Sequence, residues 1–69
     1  MRSLGDVRVR PSEWILAVVT TDREYRGTGA PVFFARDRAE LERMALYLSR
    51  VTLGSAHEIA PGTLIIMRH

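Results

Sequence analysis

The 69-residue sequence contains no cysteine, lysine, asparagine or glutamine, so all ten of its basic side chains are arginines. Without cysteine, the chain forms neither the disulfides nor the thiolate metal sites that usually support very small domains. Its stability must therefore come from core packing or from association with another chain. The lack of thermolabile amides favours a heat-adapted protein, although genome base composition explains arginine-only usage equally well.

Long hydrophobic runs are also missing. The longest, Trp14–Val19, has six residues, whereas a membrane-spanning helix needs about 20. No basic segment followed by an apolar one opens the chain as in a signal peptide. We therefore expect a cytoplasmic protein with no membrane association. With 46% hydrophobic and 26% charged residues, the composition is typical of one small globular domain over residues 1–69.

The net charge of +2 attracts a nucleic-acid backbone only weakly, since each neutralised phosphate needs its own cation. A nucleic-acid-binding module is nevertheless one alternative function. Its patch would consist of Arg2, Arg8, Arg10, Arg23 and Arg26. Trp14 or Tyr25 could stack a base beside this patch. The competing interpretation is that Arg8 and Arg10 protect an edge strand from aggregation.

Alternating and continuous apolar runs predict the strands. Val7–Arg10 alternates apolar and basic residues, as a short edge strand does, and Ser12–Thr21 is rich in the β-branched and aromatic residues of a central strand. Further strands are predicted at Val32–Ala35, Ala56–Ile59 and Thr63–Met67. The two glycines of Arg26–Gly29 predict a hairpin tip, and therefore antiparallel pairing of the strands on either side.

One helix is predicted over residues 38–52, where the apolar period changes from two to about 3.6. The apolar stripe consists of Leu41, Met44, Ala45, Leu48 and Val51. Asp37 occupies the N-cap position, and Glu40 completes a capping box. Gly54 is expected to take the left-handed conformation at the other end. The predicted fold is two-layer α+β, in which a mainly antiparallel sheet of four to five strands carries one helix on one face, in the order (β)ββαββ.

No motif in the sequence predicts catalysis. His57 and His69 are too few for a metal site, and adjacent strand residues such as His57 and Glu58 point to opposite faces. Arg26–Gly29 lacks the lysine and the strand-to-helix position of a phosphate-binding loop. We therefore expect no catalytic, cofactor-binding or metal-binding residues. A small enzyme or ligand-binding regulator with a site between subunits is a second alternative, because such a site leaves little trace in one sequence.

The favoured function is a non-enzymatic protein that acts by self-association and by binding another protein. Its central and last strands are apolar at consecutive positions, so both faces of the sheet require burial, and one helix covers one face only. A second copy is the simplest cover for the other face, which predicts a twofold homodimer. The predicted contact residues are Trp14, and Leu46 and Tyr47 on the flanks of the helix.

Overall fold

The computed structural model describes residues 14–27 and 29–68 and confirms the predicted α+β fold. Its elements are β1 (Ile15–Thr20), β2 (Val32–Phe34), α1 (Arg38–Thr52), β3 (Ser55–Ala60) and β4 (Thr63–Met67). This is the predicted order ββαββ, and the described strands form one sheet in the order β2-β1-β4-β3. The predicted edge strand at Val7–Arg10 lies outside the described residues.

The sheet is mixed, which corrects one predicted pairing. β1 pairs with β4, and β4 with β3, in the antiparallel direction. However, β1 and β2 run parallel, with Val18 opposite Val32. A hairpin cannot join parallel strands, because the chain must first return to the end of the sheet from which it started. The connection from β1 to β2, described at residues 21–27 and 29–31, is therefore a crossover, and the hairpin predicted at Arg26–Gly29 is wrong.

The crossover covers the sheet face opposite the helix. Tyr25 and Ala30 pack there with Val18 of β1 and Ile65 of β4. As a result, Val18 is 1% exposed and Ile65 is 8% exposed. The homodimer predicted from the sequence depends on the assumption that a second copy covers this face. That assumption is wrong at these two residues, and the homodimer itself stays a prediction.

Polar contacts and a glycine hold the crossover close to the sheet. The hydroxyls of Thr20 and Thr63, which are register partners in β1 and β4, share a buried hydrogen bond of 2.7 Å. Thr20 Oγ1 also accepts from the backbone N–H of Asp22 at 3.0 Å. Further along, a Cβ on Gly27 would lie 2.9 Å from a methyl of Val32. Only glycine therefore fits here without a shift of its neighbour.

The helix α1 packs on the other face of the sheet, over β4, β1 and β3. The core between them consists of Ala17, Val19, Ala35, Leu41, Ala45 and Ile66. Met44 and Leu48 of the predicted stripe are half-buried at the edge of this core. Val51, its last member, is 61% exposed. The stripe is thus buried along one side and accessible along the other.

The N-terminal end of α1 has the predicted cap. The Asp37 side chain accepts a hydrogen bond from the backbone N–H of Glu40 at 2.9 Å. The reciprocal bond of a capping box is replaced, because the Glu40 carboxylate accepts from the backbone N–H of Arg36 at 2.7 Å instead. This bond lowers the pKa of Glu40.

The C-terminal end of α1 differs from the prediction. Leu53, with φ 59°, takes the left-handed conformation that was expected of Gly54. The N–H groups of these two residues donate to the carbonyls of Arg50 and Ser49. Gly54 is required for a different reason, since a Cβ there would lie 2.5 Å from the carbonyl oxygen of Met67 in β4. Close packing of backbones, rather than φ, selects glycine at position 54.

Replacing Leu41 with alanine should lower the free energy of unfolding by about 2–5 kcal/mol, because truncating a fully buried side chain leaves a cavity. Val51→Ala should change it by less than about 0.5 kcal/mol, since that side chain lies mostly in solvent. Urea denaturation at one protein concentration measures both values. Equal losses at the two positions would contradict this placement of the helix.

Candidate functional site

One helix leaves part of this sheet uncovered. A helix is about 10 Å wide and neighbouring strands lie about 4.8 Å apart, so one helix cannot cover all four strands of the sheet. Because α1 lies over β4, β1 and β3, the edge strand β2 lies beside it. Phe33 of β2 is paired with Val19 and therefore points to the helix side, where it is 38% exposed. A groove separates β2 from α1.

We call this feature the α1–β2 groove. It has a volume of about 350 Å³ and is lined by Phe33, Arg43, Met44, Tyr47 and Leu48. Met44 and Leu48 also contact the core, whereas Tyr47 is 67% exposed. Apart from the Arg43 guanidinium, the lining is aromatic and aliphatic. Such a groove can receive apolar side chains from outside the chain.

Sequence reasoning found only part of the groove. It assigned Tyr47 to a contact surface, but it placed Met44 and Leu48 in the core stripe and did not single out Phe33. The available signal was Val32-Phe33-Phe34, which is apolar at consecutive positions in a strand that begins after Pro31. A proline suits an edge strand because it has no N–H to donate. Apolar side chains on both faces of an edge strand indicate that one of them is poorly covered.

Two arginines lie on either side of Tyr47 along the helix. Arg43 precedes it by four residues and Arg50 follows it by three, so all three side chains project from the same flank of α1. Within residues 14–27 and 29–68, neither guanidinium forms a hydrogen bond or an ion pair. Arg43 lines the groove and Arg50 follows on the same flank of α1, so this flank carries positive charge that the described residues do not neutralise.

The opposite flank of α1 carries a paired network. Arg38 donates to Glu42 at 2.8 Å and to both carboxylate oxygens of Glu58 in β3, at 2.7 and 2.9 Å. The backbone N–H of Gly62 adds a hydrogen bond to Glu58 at 3.2 Å. The bonds from Arg38, followed by the one from Gly62, lower the pKa of Glu58 to about 2, and the same pair raises the pKa of Arg38. The network ties α1 to β3.

The arginines of the predicted nucleic-acid patch are only partly described. Arg2, Arg8 and Arg10 lie outside the described residues. Arg23 lies over the ring of Phe34, 5.1 Å from its centroid. Arg26 donates to the carbonyl of Glu24 at 3.4 Å. Both described arginines thus contact neighbouring groups of the crossover and β2, and the patch stays a prediction.

The predicted contact residues of the homodimer occupy different surfaces. Trp14, Leu46 and Tyr47 are all exposed, but Tyr47 alone lines the α1–β2 groove. Leu46 is one position earlier, which turns it about 100° around the helix axis. Trp14 directly precedes β1. Their accessibility is compatible with contacts to another chain, and these contacts stay a prediction.

The remaining sequence candidates are dispersed. Among the described residues, no three histidine, aspartate or glutamate side chains are close enough to hold a metal ion. His57 is paired with Ile65 and Glu58 with Leu64, so the two side chains lie on opposite faces of the sheet. Likewise, none of the described helices combines the length and the apolarity that crossing a membrane requires.

Acid should weaken the contact between α1 and β3. The pKa of Glu58 is about 2 in the folded chain against an ordinary value of 4.5. The ion pair therefore contributes stability above about pH 4.5, and this contribution is lost as the pH falls towards 2. In urea unfolding between about pH 6 and pH 2, Glu58→Gln should lose stability less steeply than the original chain, because it has no carboxylate to titrate at this position. Identical pH profiles would contradict this assignment.

Comparison with known proteins identifies a family. Residues 12–69 match the family described as "Capping complex subunit for YIEGIA". The chain is also 42% identical over 55 residues to the uncharacterized protein YpzH of Bacillus subtilis strain 168, a match that covers 80% of this chain and 86% of the relative. No solved structure matches the chain. The region matched by the family includes the whole described sheet, the helix and the α1–β2 groove.

Proposed function

The chain belongs to the family of capping complex subunits for YIEGIA, and from this premise we propose that it is a non-catalytic subunit that binds YIEGIA through the α1–β2 groove. A subunit needs a surface on which another protein can dock. Contiguous exposed apolar side chains mark such surfaces. The groove is the described feature that meets this requirement.

The observation that carries the proposal is the exposure of aromatic side chains on two neighbouring elements. Phe33 of β2 and Tyr47 of α1 line one groove although they are 14 residues apart in the chain. A single exposed apolar residue needs no explanation, but two aromatic side chains that line a common apolar groove are typical of interfaces. Buried aromatic anchors contribute most of the binding energy of many protein complexes.

Self-association is the second part of the proposal. Trp14 and Leu46 are exposed and lie outside the groove lining. Both side chains are accessible to a second copy while the groove binds another protein, and the twofold homodimer predicted from the sequence would carry two grooves. A cytoplasmic location, as expected from the sequence, completes the proposal. Nucleic-acid binding, heat adaptation and a composite site between subunits stay predictions without further support.

Co-expression of the tagged chain with YIEGIA from the same organism tests the groove. Tyr47→Ala should weaken the complex about tenfold or more, since loss of an aromatic anchor commonly costs more than about 1.4 kcal/mol. Ile59→Ala is the matched control, because Ile59 is 55% exposed in β3, at the opposite edge of the sheet. It should bind as the original chain does.

Circular dichroism of both variants establishes that they fold. Failure of the original chain to co-purify with YIEGIA would contradict the proposal. So would a Tyr47→Ala variant that folds and binds as tightly as the Ile59→Ala control.

The homodimer is tested separately, by light scattering. At low micromolar concentration, the purified chain should have the mass of two chains. Leu46→Glu should shift the mass towards one chain, because a charge buried in the contact is unfavourable. Ile59→Glu places the same charge on β3 and should leave the mass unchanged. A mass of one chain at every concentration would show that the homodimer is wrong.

A further inference from the structure

We infer, building on the proposed function, that the α1–β2 groove binds an amphipathic helix of the partner protein whose polar edge is acidic. Two observations support this inference. They are the shape of the space beside α1 and the positive charge of Arg43 and Arg50 on that flank of the helix.

The space beside α1 fits a second helix. Helices that pack side by side have axes about 8–10 Å apart, which is the width of about two strands. A neighbour of α1 at that distance would lie over β2, above Phe33. Its apolar face would then cover both Phe33 and Tyr47. The bound helix would complete the helical layer on this face of the sheet, which α1 alone covers only in part.

An extended segment fits this surface less well. A strand added to the sheet would pair with β2, which is only three residues long, and would lie in the plane of the sheet. Tyr47 belongs to the helix layer, about 10 Å above that plane, and would remain uncovered. The exposure of Tyr47 therefore favours a helix.

The positive charges beside the groove indicate that the polar edge of the bound helix is acidic. Arg43 and Arg50 are seven residues apart, which is two helical turns or about 10.5 Å along α1. Neither is neutralised within the described residues, whereas Arg38 on the opposite flank is paired with two glutamates. A helix that runs alongside α1 presents carboxylates at the same spacing when acidic residues are seven positions apart.

A second copy of this chain is a poorer occupant of the groove. If two copies packed through this flank of α1, Arg43 and Arg50 of one copy would approach the same residues of the other. Like charges in an interface disfavour association. The homodimer proposed above therefore uses a different surface, and the groove is left for a segment of opposite charge.

Photo-crosslinking identifies the occupant. Benzoylphenylalanine is incorporated in place of Tyr47 in the full chain, which is co-expressed with YIEGIA, and the crosslinked peptide is identified by mass spectrometry. We expect a YIEGIA segment with apolar residues at helical spacing and with aspartate or glutamate at positions seven apart. A crosslink to a second copy of this chain, a segment without that pattern, or no crosslink would overturn the inference.

Charge reversal tests the two arginines directly. The double variant Arg43→Glu, Arg50→Glu should weaken binding of YIEGIA about tenfold or more, because two attractive contacts become repulsive. Binding by the original chain should weaken as salt rises from about 0.05 to about 0.5 M, since salt screens exposed charges. The matched control is Arg23→Glu, Arg26→Glu on the crossover, which changes the net charge equally and should bind as the original chain does.

These results separate the inference from the proposed function. If Tyr47→Ala weakens the complex and the Arg43→Glu, Arg50→Glu variant does not, the acidic helix is overturned and the groove still binds YIEGIA. If neither variant weakens the complex, both are wrong. Equal weakening by the crossover control would show that net charge alone is responsible, which also overturns the inference.

Discussion

The width of one helix relative to the sheet is the constraint from which the described surface follows. α1 lies over the central strands β1 and β4, where it buries Leu41 against Val19 and Ile66. These are the strands with continuous apolar sequences, so this position removes the most apolar surface from water. An edge must then remain uncovered, and the uncovered edge is β2. The groove is a direct consequence of how the core is formed.

Signals that are local in sequence predicted local structure well. The helix bounds could be predicted because a cap at Asp37 and a 3.6-residue period act within a few residues of each other. The direction of β2 could not be predicted, because it depends on how the connection from β1 crosses the sheet. Glycines at positions 27 and 29 suit a hairpin as well as a crossover. A strand's composition reveals that it is buried, but not which neighbour buries it or in which direction that neighbour runs.

The same limit explains what was missed at the helix end and in the groove. Leu53 adopts the left-handed conformation, whereas Gly54 is needed where the backbone meets Met67, a contact between distant parts of the chain. Phe33 is exposed because α1 does not extend over β2. Neither fact can be obtained from periodicity. Tyr47 was identified because its position around the helix, outside the apolar stripe, is itself a local property.

The two flanks of α1 have complementary roles. On one flank, Arg38 contacts both carboxylate oxygens of Glu58 and holds the helix towards β3. An exposed ion pair contributes little to stability, but a two-point contact fixes orientation. The burial of Leu41 and Ala45 holds the helix over β1 and β4, and the contact from Arg38 adds a link on the β3 side. The charges of one flank are thus satisfied within the chain, whereas Arg43 and Arg50 on the other flank form no ion pair within the described residues. This difference is the reason for proposing that the partner provides carboxylates on the groove side.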